Sequence, residues 1–292
     1  MRCAFASDLH GHPSHYDDLL KLVRTEGVDL MVLGGDLLPR KGHHSSSLEI
    51  QQAYVQNEFR DFTARVRRDT GAPVCAILGN DDWAGTIPLF RLLEQEGVFR
   101  MLGDVPFIPD GRTALYGYSF VPPTPFLLKD FEKRDLAEDP SPGGLRRIYV
   151  TRDGAVEEAD ERSFFSQRAS IEEDLQGSGW RGEGERSVFV MHGPPFGTAL
   201  DRLYDGRSAG SRAVHGFLSE RQPVLALHGH IHESPAVSGS YAERINATLA
   251  VNPGQTGDQL SAVVFDLDDP PGTIKHTVHG ALRRHKTDGR MR

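Results

Sequence analysis

Seven short apolar runs are the feature that most limits the folds open to this sequence of 292 residues. Each run is too short for an ordinary buried helix, and each is rich in valine, leucine, isoleucine or phenylalanine, as expected of strands buried on both faces. The runs are Arg2–Ser7, Asp29–Gly34, Val74–Leu78, Ser187–Met191, Val224–Leu227, Thr248–Val251 and Leu260–Phe265. Such strands are typical of proteins in which helices cover a largely parallel sheet.

Apolar residues at helical spacing lie between several of these runs. The three helical stripes are Tyr16, Leu19, Leu20 and Val23; then Val55, Phe59, Phe62 and Val66; and then Val214, Phe217 and Leu218. Strands that alternate with helices predict a layered α/β fold. Because the later strands follow one another without helices, we expect a mixed sheet or a second sheet.

The stretch from about residue 104 to residue 186 is the least regular part of the chain. It contains a cluster of proline and glycine at 139–144, and we expect a hairpin around residues 114–119 and a helix near residues 165–175. Strands needed for the core lie on both sides of this excursion. We therefore predict a single domain over residues 1–292.

A polar turn follows each of five apolar runs. Ligands of α/β proteins collect outside the carboxyl ends of the strands, so these turns are expected to meet at one place. Glycine is present in most of the turns and permits a close approach of the backbone. The turns are Asp8-Leu9-His10-Gly11-His12, Gly35-Asp36, Gly79-Asn80-Asp81-Asp82, His192-Gly193-Pro194-Pro195 and His228-Gly229-His230-Ile231-His232.

The side chains in these turns are of the types that bind divalent metal ions. Oxygen and imidazole ligands together suit first-row metals, and seven such ligands are too many for one ion. Two ions that share a bridging carboxylate, with Asp36 as the bridge, are the simplest hypothesis. The Asp-x-His, Gly-Asp and Gly-Asn motifs are each more often a turn or a helix cap than a metal site, whereas His-x-His at a strand end is moderately specific for chelation. The prediction therefore depends on their ordered occurrence after five separate strands.

In this order, the motifs resemble those of the calcineurin-like metallophosphoesterase superfamily. The motifs that carry the resemblance are Asp8-x-His10, Gly35-Asp36, Gly79-Asn80, His192 and Gly229-His230-x-His232. The later turn Val251-Asn252-Pro253-Gly254 is similar to one found in bacterial and archaeal phosphoesterases related to cyclic-nucleotide phosphodiesterases. The resemblance implies a four-layered α/β/β/α sandwich with two mixed sheets, and the activity of a phosphoric ester hydrolase.

The resemblance also implies a role for each motif residue. The first ion would be bound by Asp8, His10, Asp36 and His232, and the second by Asp36, Asn80, His192 and His230. Manganese is the expected metal, and iron, zinc, cobalt or nickel would also suit these ligands. A hydroxide that bridges the ions would attack the phosphodiester or phosphomonoester of a small substrate, with a nucleotide-like diester preferred.

Two positions depart from the best-known members of the superfamily. Asp81 stands where those members have a catalytic histidine, and Pro39 stands where they have the aspartate that supports it. Arg40 is retained and is expected either near the phosphate or behind the metal ligands. Asp81 and His12 are alternative candidates for the general acid, although a solvated loop histidine is an equally good interpretation of His12. The missing histidine favours a diester as the substrate.

Charge and composition disfavour several other functions. Lys and Arg number 33 against 41 for Asp and Glu, and the net charge of −8 disfavours a protein, such as a nuclease, that must grip many nucleic-acid phosphates. Cys3 and Cys75 are expected to be buried thiols. No apolar stretch approaches the roughly 18 residues of a membrane span, and no charged leader precedes the first strand. We therefore expect a cytoplasmic protein with no membrane partner.

A second function is compatible with the same fold. The chain would then be a metal-binding scaffold with little catalysis, and its partner would be another protein. The departure at Asp81 keeps this alternative open, whereas the complete set of seven candidate ligands argues against it. The sequence leaves the oligomeric state open.

Overall fold

The computed structural model describes residues 1–42, 44–143, 147–178, 180 and 186–282. Within these ranges, all seven predicted strands are present, each within two residues of its predicted bounds. The strands are β1 Arg2–Ala6, β2 Leu30–Gly34, β3 Val74–Ile77, β4 Arg100–Met101, β5 Thr113–Tyr118, β6 Arg147–Arg152, β7 Ala155–Asp160, β8 Arg186–Met191, β9 Leu225–Leu227, β10 Ala242–Ile245, β11 Thr248–Val251, β12 Ala262–Asp266, β13 Lys275–His276 and β14 Gly280–Ala281.

The strands form two large sheets and one hairpin. The first sheet has the order β14-β13-β12-β1-β2-β3-β4, in which β1 to β4 run parallel and β12 runs antiparallel to β1. The second sheet has the order β10-β11-β9-β8-β5, in which only β10 runs antiparallel to its neighbour. Strands β6 and β7 form the hairpin. Both large sheets are therefore mixed, as predicted.

Helices lie between the parallel strands, where the apolar spacing predicts them. They are α1 Pro13–Glu26, α2 His44–Tyr54, α3 Arg60–Thr70, α4 Ile87–Gln95, α5 Glu161–Ser166, α6 Ile171–Gly177, α7 Arg212–Arg221, α8 Ser234–Ser238 and α9 Pro270–Thr273. A π-helical turn at Val55–Phe59 joins α2 to α3. In the described ranges, no helix combines the length and the apolar character that a membrane crossing requires.

Three layers of apolar packing hold the helices and sheets together. Alternate side chains of a strand point to opposite faces, so Phe5 of β1 packs between the sheets while Ala4 and Ala6 face α1 and α3. On the far side, Phe189 of β8 packs against Phe217 of α7. The order of layers is helix, sheet, sheet, helix. This arrangement confirms the predicted α/β/β/α sandwich.

The excursion differs from the prediction in its first part. The segment predicted as a hairpin around residues 114–119 is β5, which pairs parallel with β8 at the edge of the second sheet. One antiparallel bridge, between Phe107 and Leu115, precedes it. The prediction was wrong because the partner of β5 lies more than 70 residues away, and pairing over such a distance leaves no local pattern in the sequence. The single-domain organisation over residues 1–292 stays a prediction.

The helix predicted near residues 165–175 is two short helices. The side chain of Asp160 caps α5, and Ser170 starts α6 with a capping box in which Ser170 and Glu173 bond each other's backbone N–H groups. The predicted helix is therefore interrupted after Ser166, and the cap at Ser170 begins a new helix.

The rest of the excursion packs against the turn that follows β3. Asp130 accepts hydrogen bonds from the backbone N–H of Ala84, at 2.8 Å, and from the backbone N–H and hydroxyl of Thr151 in β6. Nearby, the fully buried Lys129 ammonium donates to Glu132 at 2.7 Å. A buried ion pair of this kind costs much more to break than an exposed one. The excursion is therefore firmly attached beside the end of β3.

Candidate metal centre

The seven candidate ligands lie just beyond the carboxyl ends of five parallel strands. Four of them, Asp8, His10, Asp36 and Asn80, follow strands of the first sheet, and His192, His230 and His232 follow strands of the second. The two sheets face each other, so these ends meet at one edge of the sandwich. This is the edge at which α/β proteins place their ligands.

One group of four side chains comes together around Asp8. A donor atom from each of Asp8, His10, Asp36 and His232 lies within 4.8 Å of the others. The Nε2 atom of His232 is 3.2 Å from Asp8 Oδ1 and 3.3 Å from His10 Nε2. This is the set implied for the first ion.

A second group forms around His192 and shares Asp36 with the first. The Nε2 atom of His192 is 3.2 Å from Asn80 Oδ1 and 3.3 Å from Asp36 Oδ2. The ring centroids of His192 and His230 are 5.4 Å apart. Because Asp36 Oδ2 is also 4.0 Å from His10 Nε2, this carboxylate lies between the two groups. Its place is the one that a bridging ligand would need.

The buried Asp36 carboxylate supports a cation at this position. Asp36 is only 1% exposed, and its Oδ2 atom accepts no well-formed hydrogen bond from the described residues, even though His192 Nε2 is near. A buried anionic oxygen without such bonds is costly unless a cation lies beside it. The donor set of carboxylates, an amide oxygen and imidazoles therefore fits divalent metal ions.

The environment also sets the charges of the candidate ligands. Burial lowers the pKa of His10 to about 4 and that of His230 to about 3, which leaves both imidazoles neutral, as metal ligation requires. Burial opposes protonation of His192 as well, but the carboxylate of Asp36 outweighs it and raises the pKa of His192 to about 9. A cation bound to His192 Nε2 would replace this proton on the nitrogen and would lie beside the same carboxylate.

Four of the candidate ligands have a backbone conformation that L-residues rarely adopt. Asp8, His10, Asp36 and His230 have φ angles of 60°, 45°, 52° and 69°. Only three other non-glycine residues of the described ranges have a positive φ. Such strain persists where the surrounding structure enforces it, and it concentrates at functional sites. The left-handed turns direct these side chains towards one another.

Two residues whose structural role the sequence did not reveal hold the turns in place. The buried Asp82 accepts hydrogen bonds from the N–H groups of Leu37 and Leu38, at 3.1 and 2.9 Å, and from Gly79, also at 2.9 Å. It therefore ties the turn after β2 to the turn after β3. Asn252, in the turn after β11, donates to the carbonyl oxygens of three residues, Leu200, Gly229 and Ile231. The sequence marked the turn that contains Asn252 but not the role of its side chain.

The family follows from the sequence match together with this geometry. The family model described as calcineurin-like phosphoesterase matches residues 1–234 of the chain, which include all seven candidate ligands. The chain belongs to the calcineurin-like phosphoesterase family. No curated relative matches the sequence.

Solved structures agree with this family fold. The crystal structure of TT1561 of Thermus thermophilus is 15% identical and superimposes with a TM-score of 0.58, covering 94% of this chain and 97% of that chain. A further crystal structure is 16% identical with a TM-score of 0.62 over the same shares. At such identities these structures show the fold alone.

The three candidate catalytic residues differ in their position relative to the candidate ligands. The side chain of Asp81 forms an ion pair with Arg40 beside the candidate ligands. His12 is exposed at the start of α1, where its Nδ1 atom is 2.9 Å from the Ser14 hydroxyl and its ring stacks on His15 at 4.4 Å between centroids. The catalytic roles of Asp81, Arg40 and His12 stay predictions.

His230 and His232 point to different groups, but not because they lie on a strand. Strand β9 ends at Leu227, and residues 228–233 form an irregular turn in which His230 has a positive φ. Strand alternation, which would place residues two apart on the same side, therefore does not apply here. The backbone N–H of His230 donates to Asp8 at 3.0 Å, which fixes the turn against the first sheet.

The two histidines should affect different ions. Loss of the His232 imidazole removes a ligand beside Asp8, so we expect His232→Ala to lose the ion of the first group and keep the second. His230→Ala should do the reverse. Crystals of each variant soaked in manganese and measured by anomalous scattering would locate the remaining ion. Loss of the ion beside Asp8 in His230→Ala would contradict this assignment.

Proposed function

We propose that the chain is a dimetal-dependent phosphoesterase that hydrolyses a small phosphodiester or phosphomonoester, with a nucleotide-like diester as the preferred substrate. The position of Asp36 is the observation that most supports this proposal. Its Oδ2 atom is within 4.0 Å of a nitrogen from each of the two groups, and both groups lie in a chain of the calcineurin-like phosphoesterase family. A metal-binding scaffold for a protein partner would also use this carboxylate to bind metal, so hydrolysis is the property that separates the two functions.

The residues of the centre have separate tasks in such a reaction. Two divalent ions, manganese by expectation, would neutralise charge on the phosphate and activate a water molecule as the nucleophile. Nδ1 of His192 lies 2.8 Å from the Gly34 carbonyl oxygen, which can only accept, so Nδ1 carries a proton and Nε2 is directed at Asp36 and Asn80. Arg40 supplies a positive charge that could bind the phosphate oxygens.

A metal-replacement assay tests the proposal. The purified protein is stripped with a chelator, reloaded separately with manganese, iron, zinc, cobalt or nickel, and assayed with a chromogenic aryl phosphomonoester and a chromogenic diaryl phosphodiester. We expect hydrolysis that depends on the metal, with the diester preferred. Metal binding without hydrolysis of either ester would support the alternative function as a metal-binding scaffold for a protein partner.

The leaving group should strongly affect the rate. If no well-placed acid protonates the leaving oxygen, aryl esters, which leave as stable anions, should turn over much faster than alkyl esters. A positioned general acid contributes roughly 10²–10⁴-fold, so a variant that gained such an acid should narrow the gap by up to this factor. Rates for a series of esters of graded leaving-group pKa measure it.

The variant His12→Ala tests whether that histidine is the acid. Its exposed position and its bond to Ser14 predict little change, on alkyl and aryl esters alike. A large loss on alkyl esters alone would instead identify His12 as the general acid.

A further inference from the structure

The backbone of Asp81 is fixed on both sides. Its N–H donates to Asp36 Oδ1 at 2.8 Å, and its carbonyl oxygen accepts from Gln51 Nε2, also at 2.8 Å. Gln51 is itself buried, and its Oε1 atom accepts from the backbone N–H of Trp83 at 2.8 Å. The start of the Asp81 side chain is therefore held beside the candidate bridging carboxylate.

The Asp81 carboxylate holds the side chain of Arg40. The two form an ion pair in which the Asp81 side chain is 12% exposed and that of Arg40 is 45% exposed. The short, mostly covered aspartate is thus the fixed partner, and the long arginine is the flexible one. The residue before Arg40 is closely packed as well. Gly11 lies so near Pro39 that a Cβ on Gly11 would be only 2.5 Å from the proline ring.

The Arg40 guanidinium lies between the candidate ligands and an exposed aromatic ring. Its central carbon is 5.8 Å from the ring centroid of Phe126, within the range of a cation–π interaction. Arg40 is paired with Asp81, whose backbone N–H donates to Asp36 Oδ1 at 2.8 Å, so the guanidinium lies close to the candidate bridging carboxylate. The exposed part of Arg40 remains open to a ligand.

We propose that Asp81 is a positioning residue that holds the Arg40 guanidinium at the phosphate group of the substrate. This inference rests on the proposed function. An arginine cannot act as a general acid at neutral pH, but a preorganised guanidinium stabilises charge that develops on phosphate oxygens. Asp81 thus stands where the best-known family members have the catalytic histidine, and through the retained Arg40 it contributes a fixed positive charge in place of a proton.

The first test compares kcat/KM of the manganese-loaded variants on the diaryl phosphodiester. Arg40→Ala should lower it by about 10²-fold, as for the loss of one electrostatic donor. Asp81→Asn should lower it by about 10- to 100-fold, because a misplaced group loses much of its effect. Asp81→Glu, which keeps the charge but not the length, should retain more activity than the isosteric Asp81→Asn. A purely structural role would give the opposite order.

The double variant shows whether Asp81 acts through Arg40. Asp81→Ala should cost nothing further in the Arg40→Ala background, because the residue it positions is already absent. Asp69→Asn is the matched control. Asp69 of α3 forms a similar ion pair with Arg24 of α1, whose side chain is 47% exposed, and this pair lies away from the candidate metal centre. That variant should keep the wild-type rate. Independent effects of Asp81→Ala and Arg40→Ala that multiply, or wild-type activity in Asp81→Asn, would overturn the inference.

Binding of inorganic phosphate separates this inference from the proposed function. Calorimetry with manganese-loaded protein should show weaker phosphate binding in both Arg40→Ala and Asp81→Asn than in the wild type. If this pattern of phosphate binding is observed but the wild type hydrolyses no ester, the proposed function is refuted and the role of Asp81 is not. Phosphate binding that does not change in Asp81→Asn would refute the role of Asp81, whatever the activity.

Discussion

Replacement of Asp36 by asparagine should abolish turnover and weaken both metal sites together. The Asp36 carboxylate is within reach of both candidate ligand groups, so its charge would contribute to the binding of both ions. We expect activity to fall by more than about 10³-fold, beyond the loss seen for a single electrostatic donor. Metal content per chain, measured by mass spectrometry after dialysis, should fall from two ions towards none.

The fold of this variant should survive at reduced stability. The asparagine side chain would keep the shape of the aspartate and could still accept the N–H of Asp81 at the position of Oδ1. Asp201→Asn is a suitable control, because Asp201 is also fully buried but accepts backbone N–H groups of Gly197, Thr198 and Gly210 outside both ligand groups. That variant should lose stability and keep its metal. Two ions per chain and full activity in Asp36→Asn would refute the bridging role.

A single methyl group at Gly79 should be almost as damaging. A Cβ on this residue would lie 2.6 Å from His192 Nε2 and still closer to Asp36 Oδ1, where no side-chain carbon fits. Either the imidazole or the carboxylate must move away from its partner, and a shift of about 1 Å in such a site can cost about 10²-fold. We expect Gly79→Ala to lower kcat and metal affinity together, which titration with manganese and steady-state assays would measure.

Gly216→Ala provides the matched control for the methyl group. Gly216 lies within α7, and a Cβ there would meet no atom within 4 Å. Alanine is better than glycine inside a helix by roughly 0.5–1 kcal/mol, so this variant should unfold at a slightly higher denaturant concentration and keep its activity. If Gly79→Ala behaved like Gly216→Ala, the close packing around Asp36 would not matter for function.

The parts of the fold that depend on local sequence could be predicted. The seven buried strands are recognisable because both faces are covered, which leaves uninterrupted apolar runs such as Leu30–Gly34. The ends of those strands then place the seven candidate ligands at one edge, whatever the details of the turns. Strand β5 was missed as a core strand because its partner is distant in sequence, and pairing between distant segments leaves no local pattern.

The parts of the site that depend on non-local contacts could not be predicted. Asp82 was recognised only as part of the polar turn after β3, whereas its carboxylate accepts a backbone hydrogen bond from a turn 45 residues earlier. The pair of Asp81 with Arg40 similarly joins two turns that come together only in the folded chain. The left-handed backbone conformation of His230 could not be predicted from the sequence, because a His-x-His pattern is compatible with both a strand and a turn.

The two groups of candidate ligands draw on both sheets, and this has a consequence for the protein as a whole. Asp8, Asp36 and Asn80 extend from the first sheet, while His192 and His232 extend from the second. Ions bound among them would cross-link the two layers at one edge, in addition to the apolar packing between them. Metal binding would then contribute to the free energy of unfolding. The resistance of this protein to heat and proteolysis would report how much metal its surroundings provide.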